Sequence, residues 1–177
     1  SLNAAFTGQD IAIHCAASTS MYPARDPFIN RVNIEGTENV IQAIKVNKIK
    51  RLVYVGTANS FGNGSSLDDL GDETNEYTAH KYGLDYMDSK KKAQDLLLDA
   101  VKNDGLPALI VNPTFMIGPY DSKPSSGTLV LAIYNGKVPG YTRGGKNYIA
   151  VKDAAVAIAN GITMGRIGEC YILGNEN

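Results

Sequence analysis

The chain has 177 residues, of which 44% are hydrophobic, enough for one domain or a large part of one with a real core. Lys and Arg number 17 against 18 Asp and Glu, a formal charge of -1. That balance and composition argue against disorder and offer no basic surface to nucleic acid or an anionic membrane. The predicted elements alternate short apolar strands with longer helices. Ile11 to Cys15 reads as a buried strand. Ala24 to Val46 reads as a helix, with Phe28, Val32, Gly36, Val40 and Ile44 on one stripe. Leu52 to Val55, entered at Arg51, is apolar throughout, as a strand covered on both faces should be. Thr57 to Glu76 is polar and reads as a loop; Ala79 to Asn103 predicts a long helix with Gly105 as its stop. Ala108 to Val111 is another buried strand, followed by a loop punctuated by Pro113, Gly118, Pro119, Pro124 and Gly127. Thr128 to Tyr134 is expected to be helical, and Tyr148 to Val151 a short strand. Asp153 is expected to cap a helix through Ile162, and Glu169 to Leu173 to close with a strand.

This order predicts an α/β, doubly wound parallel sheet. Cys15 and Cys170 sit in no C-x-x-C or metal-ligand spacing and are expected to be free thiols. No apolar run reaches the roughly 18 residues of a membrane span, and the first residues lack a signal-peptide pattern. A cytoplasmic protein with neither membrane nor nucleic-acid partner is the expectation. The acidic loop of Asp68, Asp69, Asp72, Glu73 and Glu76 lacks a regular calcium-ligand spacing, so no metal is expected. His14 reads as a packed, hydrogen-bonded core histidine and His80 as a surface residue.

The strongest chemical signal is Tyr86-Met87-Asp88-Ser89-Lys90. A Y-x-x-x-K on a helix places both side chains on one face, one turn apart. A phenol with its ordinary pKa near 10 is a poor catalyst at neutral pH, and a neighbouring ammonium lowers that value. By itself the motif is common by chance. Its context adds weight: Gly56-Thr57-Ala58-Asn59-Ser60 and Asn112-Pro113-Thr114-Phe115-Met116 each follow a predicted strand, where open α/β sheets bind ligands. Thr57 and Ser60 there serve a substrate oxygen or simply satisfy turn backbone.

Several segments together resemble the extended short-chain dehydrogenase/reductases. Ile13-His14-Cys15-Ala16-Ala17 is similar to their fourth-strand motif, and Asn33 to Val40 to N-x-x-G-T-x-N-V. Arg51 to Gly62 resembles the hydroxyl-bearing loop, and Asn112 to Pro119 the R-P-x-x-x-x-G-P loop, with Asn112 in place of Arg. Gly144 to Ala155 and Gly165 to Asn177 resemble segments of dihydroflavonol-4-reductase-like members.

The resemblance implies an NAD(P)-binding Rossmann-like fold, with residues 1–118 its catalytic part and 119–177 a small C-terminal substrate lobe interleaved with returning sheet elements. It implies Thr57, Tyr86 and Lys90 as catalytic residues, with Lys90 also on the nicotinamide ribose. Ala16, Ala17, Pro113, Thr114, Phe115 and Met116 would lie along the cofactor; Thr57, Ser60 and Phe115 would meet substrate. Asn33 would lie beside the site. The family's opening strand and G-x-x-G-x-x-G phosphate turn do not occur in this sequence. The expectation is an N-terminally incomplete domain, short by roughly 70 residues on usual unit lengths, with an exposed apolar edge at Ile11 to Cys15.

The implied function is hydride transfer between nicotinamide and a carbonyl or secondary alcohol, with NADP favoured over NAD. Alternatives are a nucleotide-sugar epimerase or dehydratase with bound NAD, a non-catalytic dinucleotide-sensing protein, or an inactive fragment. Phe115, where sugar-nucleotide enzymes often carry Asn, favours a smaller, less polar carbonyl substrate over a sugar. A homodimer through the Tyr86 helix is the expected assembly.

Overall fold

The computed structural model of the chain describes residues 1–66, 68–122, 126–140 and 144–177. In chain order the strands are β1 (Ile11–His14), β2 (Arg51–Val55), β3 (Ala108–Pro113), β4 (Phe115–Ile117), β5 (Tyr148–Ala150) and β6 (Cys170–Leu173). The α-helices are α1 (Leu2–Phe6), α2 (Pro27–Asn30), α3 (Gly36–Asn47), α4 (Asp85–Asp104), α5 (Ser126–Tyr134) and α6 (Val151–Gly161). Four strands form one parallel sheet in the order β1-β2-β3-β6, and β4 pairs in parallel with β5.

Every residue of β3 is buried, because helices cover both faces of the sheet there. On one face α3 and α4 set Val40, Ile41, Ile44, Ala93 and Leu97 against Leu52, Tyr54, Ala108 and Ile110. On the other, Ile158 of α6 and Ile162 pack on Val53, Leu109 and Val111. The expected doubly wound parallel sheet is therefore present. β1 lies at the edge. Its Ala12 and His14 turn inward, while Ile11 and Ile13 remain 43% and 44% exposed beside the part of the sheet where α6 packs over β2 and β3. The apolar edge expected from the sequence is there.

The predicted Ala24–Val46 helix starts later, at Pro27. The Asp26 side chain accepts from the Phe28 N–H at 2.9 Å and Pro27 takes the first helical position, both favourable for a helix start. A π-helical turn, Arg31–Glu35, joins α2 to α3. The wider turn rotates the buried stripe onto Ile29, Asn33, Thr37, Ile41 and Ile44, and leaves Phe28 52% exposed. A purely apolar periodicity could not find this face, because two of its members are polar and satisfied inside.

The predicted Ala79–Asn103 helix is two elements. A 3-10 turn, Ala79–Tyr82, ends at Gly83, whose φ of 63° belongs to the left-handed region that glycine enters freely. α4 then begins at Asp85, whose carboxylate accepts from Arg25 Nη1 at 2.7 Å and from the Asp26 N–H at 2.8 Å. It ends, as expected, at Gly105 with φ 66°. β4 lies in the stretch read as a loop. Three residues between prolines and glycines show no period, and only pairing with distant β5 makes them a strand. Asp153 lies in the first turn of α6 rather than at its cap; Ala150 holds the cap position without a side-chain bond. Pro124 lies outside the described residues. No helix among the described residues is long and apolar enough to cross a membrane.

Candidate active site

Parallel strands direct β1, β2 and β3 to end on one side of the sheet, and the expected site residues follow those ends. At the end of β2, Gly56 leaves room for Asn112: a side chain there would run into the Asn112 amide. Asn112 is fully buried on β3, and its Oδ1 accepts from the Thr57 N–H at 3.1 Å. Thr57 in turn opens the 3-10 turn Ala58–Ser60, its Oγ1 accepting from the Asn59 N–H at 3.3 Å. The same side chain stands beside the Tyr86 phenol and pulls its pKa down. Thr57 therefore caps the turn, one of the two roles expected of it, and lies next to the tyrosine.

Tyr86 and Lys90 stand one turn apart on α4, as their spacing requires. Burial raises the Tyr86 phenol above its usual value, and Thr57 opposes that rise. Lys90 is 3% exposed. Its Nζ donates to the Tyr54 phenol oxygen and to the Val55 carbonyl, both at 2.8 Å, and lies 4.4 Å from the Tyr54 ring centre. Desolvation lowers its pKa to about 8, against a smaller opposing pull from Cys15. Two Lys90 protons are committed to β2, and burial shifts the Tyr86 phenol upward, opposite in direction to the lowering expected of a Tyr-Lys pair.

A second polar layer sits beneath. Asn33 Nδ2 donates to the Ser18 carbonyl at 3.0 Å and to Ser89 Oγ at 2.9 Å, while its Oδ1 accepts from the Ser18 N–H at 2.7 Å. Ser89 Oγ donates to the Tyr86 carbonyl at 2.9 Å. One asparagine thus ties the segment after Ala16 and Ala17 to the turn that carries Tyr86. Ala16 is exposed and Ala17 half-buried, small side chains that leave open ground beside Lys90. His14 behaves as expected of a core histidine: it is 9% exposed, bonds Thr37, and burial with the Lys90 charge lowers its pKa to about 4. His80 is exposed.

The other expected residues differ in what they can offer. Ser60 is fully buried, and its Oγ has no hydrogen-bond partner among the described residues. Pro113 ends β3. Thr114 commits both its N–H and its hydroxyl to the Leu173 carbonyl, at 3.0 and 3.1 Å. Phe115 is half-buried, meets Tyr148 edge-on at 5.5 Å and lies under Lys146 Nζ at 4.2 Å; Met116 is half-buried beside it. The sequence reading did not find Tyr54 or Thr37. Both look like ordinary members of an apolar strand and a helix, and only the register that sets His14 beside Tyr54 brings them to Lys90.

Comparison with known proteins agrees with this geometry. The family model described as the 3-beta hydroxysteroid dehydrogenase/isomerase family matches residues 1–146. A putative dihydroflavonol 4-reductase from Synechocystis is 32% identical over 170 residues, 93% of this chain and 49% of that protein. A dTDP-glucose 4,6-dehydratase from Mycolicibacterium smegmatis is 31% identical over 94% of this chain and 51% of its own length. The crystal structure of gox2253 superposes with a TM-score of 0.90 at 32% identity, over 99% of this chain and 53% of that one. The chain spans about half the length of the curated relatives it matches.

Proposed function

Because the chain belongs to the 3-beta hydroxysteroid dehydrogenase/isomerase family, among the extended short-chain dehydrogenase/reductases, we propose that it carries the catalytic half of an NAD(P)-dependent oxidoreductase acting on a carbonyl or secondary alcohol. The observation that carries this reading is the meeting of Thr57 and Tyr86 at the carboxyl ends of parallel strands, with a buried ammonium one helical turn away.

The residues present fit the nicotinamide end of a dinucleotide. Ala16 and Ala17 leave space, Lys90 offers the charge that would meet the ribose, and Pro113 to Met116 border the third strand end. A bound nicotinamide would supply or accept the hydride. Thr57 and Tyr86 would both face the substrate oxygen, Thr57 polarising it and Tyr86 moving the proton. A phenol raised by burial stays protonated at neutral pH, which suits donation to the oxygen of a carbonyl being reduced. The half-buried Phe115, closed in by Tyr148, favours an apolar carbonyl substrate over a sugar nucleotide. NADP is the preferred dinucleotide on the reductase resemblance.

The test is NADH and NADPH fluorescence with this chain, and with a form carrying a glycine-turn strand–helix unit from a relative ahead of Ser1. Binding by the extended form, with carbonyl reduction lost in Tyr86→Phe and binding kept, is expected. No binding by either form overturns the reading.

A further inference from the structure

Three buried side chains from three elements, His14, Thr37 and Tyr54, lie behind Lys90. Thr37 is the hub. Its hydroxyl donates to the Asn33 carbonyl at 2.7 Å, which uses its only proton. A threonine oxygen then has its lone pairs left to accept. His14 Nε2 lies 3.3 Å from Thr37 Oγ1, and the Thr37 side chain also stands beside the Tyr54 phenol. With the Thr37 proton already given away, His14 must act as the donor, the neutral tautomer with its proton on Nε2. The Tyr54 oxygen accepts from Lys90 Nζ, 2.8 Å away.

We propose that the Tyr54 O–H is directed at the Thr37 oxygen, whose own proton is spent on Asn33, and that Tyr54 so oriented is the positioning residue that holds the Lys90 ammonium at the floor of the site. The direction of each bond follows from the one before it, so the arrangement is not interchangeable with an apolar core. Tyr54 is 1% exposed and Thr37 1% exposed, and the His14 ring packs on Tyr54 at 5.4 Å. A phenylalanine at 54 would fill nearly the same space and keep the ring face toward the ammonium, but would remove the acceptor. The ionisable groups facing Lys90 are Tyr54 from β2, His14 and Cys15 from β1 and its end, and Tyr86 from α4. Thr37 reaches it through Tyr54. That this ammonium serves a dinucleotide rests on the proposed function; that Tyr54 holds it does not.

The experiment follows the Lys90 13Cε resonance from pH 6 to 11 in the full chain labelled at lysine, assigned by its loss in Lys90→Met. Removing an acceptor from a charged donor destabilises the protonated form, so Tyr54→Phe is expected to move the midpoint down by about one pH unit. Thr37→Val should also lower it, because the Tyr54 proton loses its target, and Thr37→Ser should restore the wild-type midpoint. A wild-type midpoint in a folded Tyr54→Phe overturns the proposal. If that variant does not fold, equal midpoints in Thr37→Val and Thr37→Ser overturn it instead. No nucleotide is present in this titration, so a failure of the wild-type chain to bind NADH or NADPH would count against the proposed function alone.

Discussion

At the residue scale the two buried bases, His14 and Lys90, set the pH behaviour. His14 has its pKa lowered to about 4 from an ordinary 6.5. Between those values the unfolded chain binds a proton that the folded one refuses, so stability is full above about pH 6.5 and falls as pH drops toward 4. The loss is worth about 3 kcal/mol at its limit. Urea unfolding at pH 7 and pH 4.5 should show it, and His14→Asn should flatten most of the difference. Lys90, lowered to about 8, acts in the same sense at higher pH: between about 8 and its ordinary 10.5 the unfolded state holds the extra proton, so its burial costs less as pH rises. In the proposed reaction its charge is lost above about pH 8, while Tyr86 stays protonated. The reductive kcat/KM should therefore decline above that pH, and Lys90→Arg, which keeps its charge, should abolish the decline. Tyr86→Phe should reduce turnover by on the order of 10²-fold or more with KM little changed.

At the element scale, the entrance to α4 decides where Tyr86 and Lys90 point. Gly83 releases the preceding turn, and Asp85 fixes the new start against the segment before α2. Arg25 is well exposed, so its attraction is screened, but the Asp85 bond to the Asp26 N–H is partly buried. Asp85→Asn should lower the urea midpoint and weaken turnover together, because it loosens the helix that carries Tyr86 and Lys90, the two side chains proposed to act in catalysis. Gly83→Ala should cost roughly 1 kcal/mol from the left-handed backbone alone. The Ala79–Asn103 helix was legible in its apolar spacing and its stop at Gly105, but not in its break. A lone glycine inside a helical pattern is ambiguous until something else, here Arg25 from a distant loop, claims Asp85 two residues on.

At the scale of the whole molecule the sheet is covered unevenly. Leu52 is fully buried between layers, while Ile13 on the edge strand is 44% exposed. Leu52→Ala should cost roughly 2–5 kcal/mol and Ile13→Thr under about 1 kcal/mol, as read by chemical denaturation. Ile13→Thr should also reduce binding of a hydrophobic dye, since it removes apolar surface at an open sheet edge.

The sequence by itself determined the parallel α/β order, the positions of the strands other than β4 and the Tyr86–Lys90 spacing, because these depend on local periodicity and on residue types a few positions apart. The motifs that carry Thr57 and Asn112 were visible for the same reason. Only the tertiary structure decided which polar groups are buried together. The π-turn that rotates Asn33 and Thr37 inward, the pairing of β4 with β5, and the register that sets His14 beside Tyr54 all join residues far apart in the chain. So does the direction of the Lys90 protons, toward β2 rather than toward Tyr86. A hydrogen bond needs its partner within about 3 Å, and no pattern along one strand or helix records what another element will bring that close.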